Sequence, residues 1–227
     1  MPTPFTDDGA LDLPSLETLT EFLIGLGVDG LVVLGVLGEA PKLSQREQDE
    51  VMTTTVRAAA GRVPVFAGAG AGGTDLAVER ARNAVAHGAS GLLVAPPPVQ
   101  NDAVIYEYYR RVDAAVDSPL ILHDYPAATG VSMTVPLVAR LHAELRNVSV
   151  IKLEDTPSVT KVSALRALGS DIAIVGGLGG LYFLEELERG ADGIMTGFSY
   201  PEVLVSVYRA FTGGDSAAAR RAFYEAC

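Results

Sequence analysis

Lys152 closes the apolar run Val148-Ser149-Val150-Ile151, and Glu154 and Asp155 follow it closely. The run reads as a short strand rich in β-branched residues. An ammonium at the end of a buried strand costs free energy unless it is paired, or unless its pKa falls and it becomes a usable amine. A desolvated lysine of that kind is the nucleophile that forms Schiff bases with carbonyl substrates. The competing reading is a structural ion pair with Glu154 or Asp155. The other two lysines, Lys42 and Lys161, lie in polar stretches flanking helices.

His123 and Tyr125 stand two apart at the end of another apolar run. On an extended strand they share one side, and Asp124 points the other way. A histidine that titrates near neutrality is suited to moving protons, although a strand-end histidine bonded to backbone is the plainer alternative. Glu39, Glu154 and Asp155 are the candidate carboxylate bases. Glu39 has two other readings, as a cap for the helix starting near Ser44 or as a partner of Lys42.

Short apolar runs occur at 30–34, 63–67, 91–95, 119–122, 148–153, 172–175 and 193–196. Stretches of helical periodicity separate them, at 16–26, 44–60, 75–87, 103–116, 135–145, 159–168, 182–189 and 201–211. Ser44-Gln45-Arg46-Glu47 forms a capping box, Thr74 with Asp75 opens the next helix, and Gly88 and Gly190 follow helix ends. Runs that are apolar throughout indicate strands covered on both faces, hence a parallel sheet built from βαβ units. Seven strands and no linker predict one domain over 1–227. The fold class is α/β, a (β/α)₈ TIM barrel without its first strand and C-terminal helices, a fragment incomplete at both ends. In such a barrel the chemistry collects on the loops after the strands.

The net charge of −11 argues against a nucleic-acid partner, which requires a basic face. No apolar stretch is long enough to span a bilayer and no signal core opens the chain, so a cytoplasmic protein is expected. The one cysteine, Cys227, is terminal, and His87 and His142 show no metal-ligand spacing. No metal and no cofactor are expected.

Thr3-Pro4-Phe5, Gly35-x-x-Gly38-Glu39, Val63-Pro64-Val65 with Ala67-Gly68-Ala69-Gly70, Tyr125-Pro126 with Thr129-Gly130, and Ile151-Lys152 occur in that order. Together they resemble the dihydrodipicolinate synthase / N-acetylneuraminate lyase family of class I, Schiff-base barrels, over essentially the whole chain. The resemblance implies that Lys152 condenses with the keto group of pyruvate or another 2-keto acid. It places the substrate carboxylate on the loop Gly35, Val36, Leu37, Gly38 and Glu39, and sets Gly176 and Ile194 near the bound keto acid. It also implies a homo-oligomer, commonly a tetramer.

Departures from the family pattern bear on the substrate. Val36 and Leu37 replace two hydroxyl residues of the carboxylate loop, and Pro96-Pro97-Pro98 replaces a tyrosine-rich stretch. His123 stands where the family has its proton-shuttling tyrosine, with Tyr125 nearby, and Ala128 where it has an arginine for a second carboxylate. The segment after Lys152 resembles branches that act on 2-keto-3-deoxy sugar acids. The expected function is an aldolase or dehydratase acting on pyruvate-type or 2-keto-3-deoxy sugar acids, with Lys152, His123 and Tyr125 as catalytic residues. The alternatives are a catalytically impaired member that binds such acids, a true 4-hydroxy-tetrahydrodipicolinate synthase, or a phosphosugar barrel using Gly176–Gly180.

Overall fold

The computed structural model describes residues 1–226. Seven strands alternate with helices: α1 (Leu13–Gly25), β1 (Leu31–Val33), α2 (Gln45–Ala59), β2 (Val65–Gly68), α3 (Thr74–Ala86), β3 (Gly91–Val94) and α4 (Asp102–Ala115). β4 (Leu120–Asp124), α5 (Pro126–Thr129), α6 (Val135–Glu144), β5 (Val148–Leu153), α7 (Ser158–Ala167) and β6 (Ala173–Gly176) follow. α8 (Phe183–Glu188), β7 (Gly193–Ile194), α9 (Pro201–Thr212) and α10 (Ser216–Glu225) complete the described chain. Each strand predicted from an apolar run is present, within one or two residues. The single-turn α5 was not anticipated, because Pro126-Ala127-Ala128-Thr129 is too short to show a helical period.

Local chemistry explains the element boundaries. Ser44 accepts from the Glu47 N–H while Glu47 reaches back to Ser44, which closes the capping box at the start of α2. Asn101 and Thr134 cap α4 and α6 through their side-chain oxygens. Thr74 is the first residue of α3 and not its cap, since Gly73 precedes it without a side chain to offer.

All seven strands pair in parallel, in the order β1-β2-β3-β4-β5-β6-β7. β3 and β4 are buried along their whole length, as expected for strands covered on both faces. Leu92, Leu120, Leu122, Ile151 and Ile174 are fully buried in the main core, each stabilising the fold by about 1.5–3 kcal/mol. A second cluster forms among α8, α9 and α10 around Phe183, Leu187, Val207 and Phe223.

The sheet curls until its two ends approach. Arg209 of α9 donates to the Gly27 carbonyl just before β1, at 3.4 Å. The loops after β1 and β7 touch as well: a Cβ added at Gly197 would lie 2.0 Å from Leu37 Cδ1. β1 and β7 do not pair with each other. Met1 lies along β1, its amine donating to the Val32 carbonyl.

Candidate active site

Parallel pairing of β4 with β5 places His123 opposite Lys152. Partners in register project to the same side, so both side chains point to the concave side of the curled sheet, and alternation sends Glu154 the same way. The ladder continues one step past the strands, where Glu154 N–H donates to the Asp124 carbonyl at 2.8 Å.

The result is a compact triad. Lys152 Nζ lies 2.8 Å from Glu154 Oε2 and 3.3 Å from His123 Nε2. His123 Nε2 is 2.7 Å from the same carboxylate oxygen. Glu154 Oε1 accepts the Leu178 N–H at 2.9 Å. To present that amide, Leu178 adopts φ +50°, a left-handed conformation that costs a branched side chain about 1–2 kcal/mol. The Tyr125 ring stacks on His123 with centroids 5.7 Å apart, consistent with the shared side read from the sequence.

The triad is largely buried, with side-chain exposures of 6% for His123, 9% for Glu154 and 12% for Lys152. Burial works to raise the Glu154 pKa, but the His123 hydrogen bond, the Lys152 charge and the Leu178 N–H bring it down to about 2. Burial lowers the pKa of His123, with Glu154 opposing that shift. Glu154 is therefore a carboxylate and His123 a neutral imidazole at neutral pH. Lys152 has the ion-pair partner that the structural reading required, but the pair is not sealed in the core. The side chains of the triad line a cavity of about 1160 Å³ on the concave side of the sheet, which extends to Gly27 and Arg209.

Opposite the triad, the loop after β1 supplies backbone rather than side chains. Leu34 and Glu39 both have φ +56°, which folds the loop tightly. Gly35, Val36, Leu37 and Gly38 line the cavity. Among the described residues, the N–H groups of Val36, Leu37 and Gly38 make no hydrogen bond to a protein acceptor. The close packing behind the loop requires glycine: a Cβ at Gly68 would fall 1.9 Å from the Leu34 carbonyl oxygen.

Ile194 also lines the cavity. Two residues expected at the site are placed otherwise. Glu39 pairs with Lys42 at 2.7 Å and is not among the cavity-lining residues. Gly176 presents its outer side to a buried glutamate of α8, whose Oε2 would lie 1.7 Å from a Cβ there. That residue, Glu186, accepts from Ser158 Oγ at 2.5 Å, and burial holds its pKa above the usual carboxylate range.

Of the candidate bases, Glu154 is central and Asp155 lies elsewhere, paired with Lys161 at 2.8 Å. The strand alternation that separates Glu154 from Asp155 was present in the sequence as the signal. Lys161 is a correction. Its side chain is only 11% exposed, so it is not part of a solvated helix flank. Among the described residues, no helix is long and apolar enough to cross a membrane.

The family model for the dihydrodipicolinate synthetase family matches residues 1–226. A 4-hydroxy-tetrahydrodipicolinate synthase of Sorangium cellulosum is 37% identical, over 97% of this chain and 74% of the relative. An L-2-keto-3-deoxyarabonate dehydratase of Azospirillum brasilense is 33% identical over the same shares of the two chains, 97% and 74%. The crystal structure of dihydrodipicolinate synthase from Rhodopseudomonas palustris superimposes with a TM-score of 0.92 at 36% identity, covering 98% of this chain and 76% of that one. The chain belongs to the dihydrodipicolinate synthetase family and is an enzyme of its lyase class.

Proposed function

We propose that this member of the dihydrodipicolinate synthetase family cleaves or dehydrates a 2-keto-3-deoxy sugar acid through a Schiff base at Lys152. The observation that carries the reading is the triad itself: an amine facing a large cavity, with a carboxylate and a neutral imidazole within 3.3 Å. The neutral imidazole of His123, 3.3 Å from Nζ, takes a proton from Lys152, which frees the amine to attack the keto carbon, while the Glu154 carboxylate stabilises the imidazolium that forms. Loss of the carbinolamine hydroxyl as water leaves the iminium.

The iminium is an electron sink that acidifies the adjacent carbon. Removal of a C3 proton and departure of the C4 hydroxyl as water is dehydration. Deprotonation of the C4 hydroxyl with cleavage of the C3–C4 bond is retro-aldol release of an aldehyde; it leaves an enamine, which takes the proton back at C3 to give the product iminium. Hydrolysis of the product imine consumes one water and restores Lys152. Glu154 and His123 are the groups within reach of these protons, and Tyr125 packs against the imidazole. The free N–H groups of the β1 loop suit the substrate carboxylate, with no hydroxyl contributed by Val36 or Leu37.

The second reading, synthesis of 4-hydroxy-tetrahydrodipicolinate, is favoured by the Sorangium relative's name. It faces Ala128 where the family has an arginine for the second carboxylate, and His123 where it has a tyrosine. Turnover of the intact protein, screened against 2-keto-3-deoxy sugar acids and against pyruvate with aldehydes, separates the two. Activity confined to pyruvate with an aldehyde dicarboxylate precursor contradicts the sugar-acid reading, and binding without turnover points to an impaired member. The same proposal takes the sheet as seven strands of a (β/α)₈ barrel in a cytoplasmic homotetramer, which sedimentation of the intact protein checks.

A further inference from the structure

The side chains that alternate with the triad form a second ionic cluster on the other face of the same two strands. Asp124 follows His123 and Asp155 follows Glu154, so both turn away from the cavity. Lys161 reaches between them from α7, with Nζ 2.5 Å from Asp124 Oδ2 and 2.8 Å from Asp155 Oδ2. Ser132 Oγ donates to Asp155 Oδ2 at 2.6 Å, and the Met133 N–H donates to Asp124 Oδ1 at 3.0 Å. The segment after α5 is thereby tied to both acids. Asp124 is wholly buried, and neither acid nor Lys161 lines the cavity.

One ammonium shared by acids from two adjacent strand ends does more than neutralise a charge. It ties those ends together on the outer face of the ladder. Each acid is one peptide unit from a member of the triad, so a shift on the outer face passes directly to the inner one. The His123–Glu154 contact at 2.7 Å tolerates only a few tenths of an ångström before the bond weakens, by roughly the width of the normal hydrogen-bond range.

We infer that Lys161 is a positioning residue, clamping Asp124 and Asp155 from behind so that His123 and Glu154 meet beside Lys152. The inference rests on the reading of that triad as the reacting groups. Lys161 touches no substrate. It acts through the two strand ends.

The test uses the intact protein with Lys161→Met, Lys161→Arg, Asp155→Asn and, as a control, Leu165→Ala. Leu165 is a fully buried residue on the same helix that takes no part in the clamp. Three readouts apply: kcat on the sugar-acid substrate, borohydride trapping of pyruvate at Lys152, and titration of the His123 imidazole by NMR. The groups facing His123 are Lys152 and Glu154 from β5 and the Tyr125 ring; Glu154 also faces the Leu178 N–H.

Lys161→Met is expected to lower kcat by about 10- to 100-fold while pyruvate is still trapped at Lys152, the pattern of a misplaced catalytic group. The His123 titration should move to lower pH as its Glu154 contact loosens. Lys161→Arg should recover most of both, and Leu165→Ala should lower thermal stability without moving the imidazole titration. If Lys161→Met does not fold, Asp155→Asn carries the test, because Asp124 keeps its partner and Asp155 is at the cluster's more open edge. The inference is overturned if the folded clamp variant leaves kcat and the His123 titration unchanged, or if Leu165→Ala moves the titration equally. Absence of trapping in the unsubstituted protein would count against the Schiff-base reading alone, since the imidazole titration still reports on the clamp.

Discussion

Replacing Glu154 with glutamine keeps the side chain's size and removes the one charge that pairs with Lys152. The carboxyl is brought from its ordinary 4.5 to about 2 in the folded protein, so its ionised form contributes about 3 kcal/mol to stability at pH 7. Little of this is lost to solvent screening, because the Glu154 side chain is only 9% exposed. The folded value lies below the unfolded one, so the contribution is complete above about pH 4.5 and disappears as the pH falls towards 2. At pH 3.5 about 2 kcal/mol should remain. Urea unfolding of the two proteins at pH 7 and at pH 3.5 measures the gap directly, and it should narrow at the lower pH. Turnover should fall by about 10²- to 10⁴-fold, the usual worth of a positioned acid–base group. A gap that is absent, or equal at both pH values, would refute the charge assignment. A glutamine variant with unchanged kcat would refute the catalytic one.

Other substitutions probe the supporting geometry. Gly177→Ala places a Cβ 2.4 Å from Glu154 Cγ, so the carboxylate must move; kcat should fall by about 10-fold or more in a folded protein, read by steady-state kinetics with circular dichroism. Gly68→Ala drives a Cβ into the Leu34 carbonyl at 1.9 Å and should cost about 3 kcal/mol, seen as a lowered urea midpoint. His123→Gln removes the titrating imidazole, so kcat should drop by about 10²-fold or more and an inflection of the rate profile on the acid side of neutrality should vanish.

The strands were legible as apolar runs because β3 and β4 are buried on both faces and the others carry apolar residues such as Val32, Phe66 and Val175 on their half-buried side as well. Lys152 stood out for the same reason: a charge at the end of Val148–Leu153 has no surface to reach. The partnership of Glu154 with Lys152 followed from strand alternation, but two neighbouring acids made both readings open until the register was seen. Lys161 was not legible. Its partner Asp124 lies 37 residues away, and a lysine in a helix with mixed neighbours looks like any solvated one. The Leu34 and Leu178 conformations were hidden too, since a leucine gives no sequence sign of a positive φ. Glu186, similarly, resembles its neighbours in an acidic helix, and only the packing of Gly176 against it shows that it is buried.

The central claim is that Lys152 forms the imine. Borohydride reduction of the intact protein in the presence of pyruvate, followed by peptide mass mapping, tests it most directly. The account predicts one reduced adduct on Lys152, none on Lys42 or Lys161, and loss of both adduct and turnover in a folded Lys152→Ala variant. An unmodified Lys152 in an active, folded protein would contradict it.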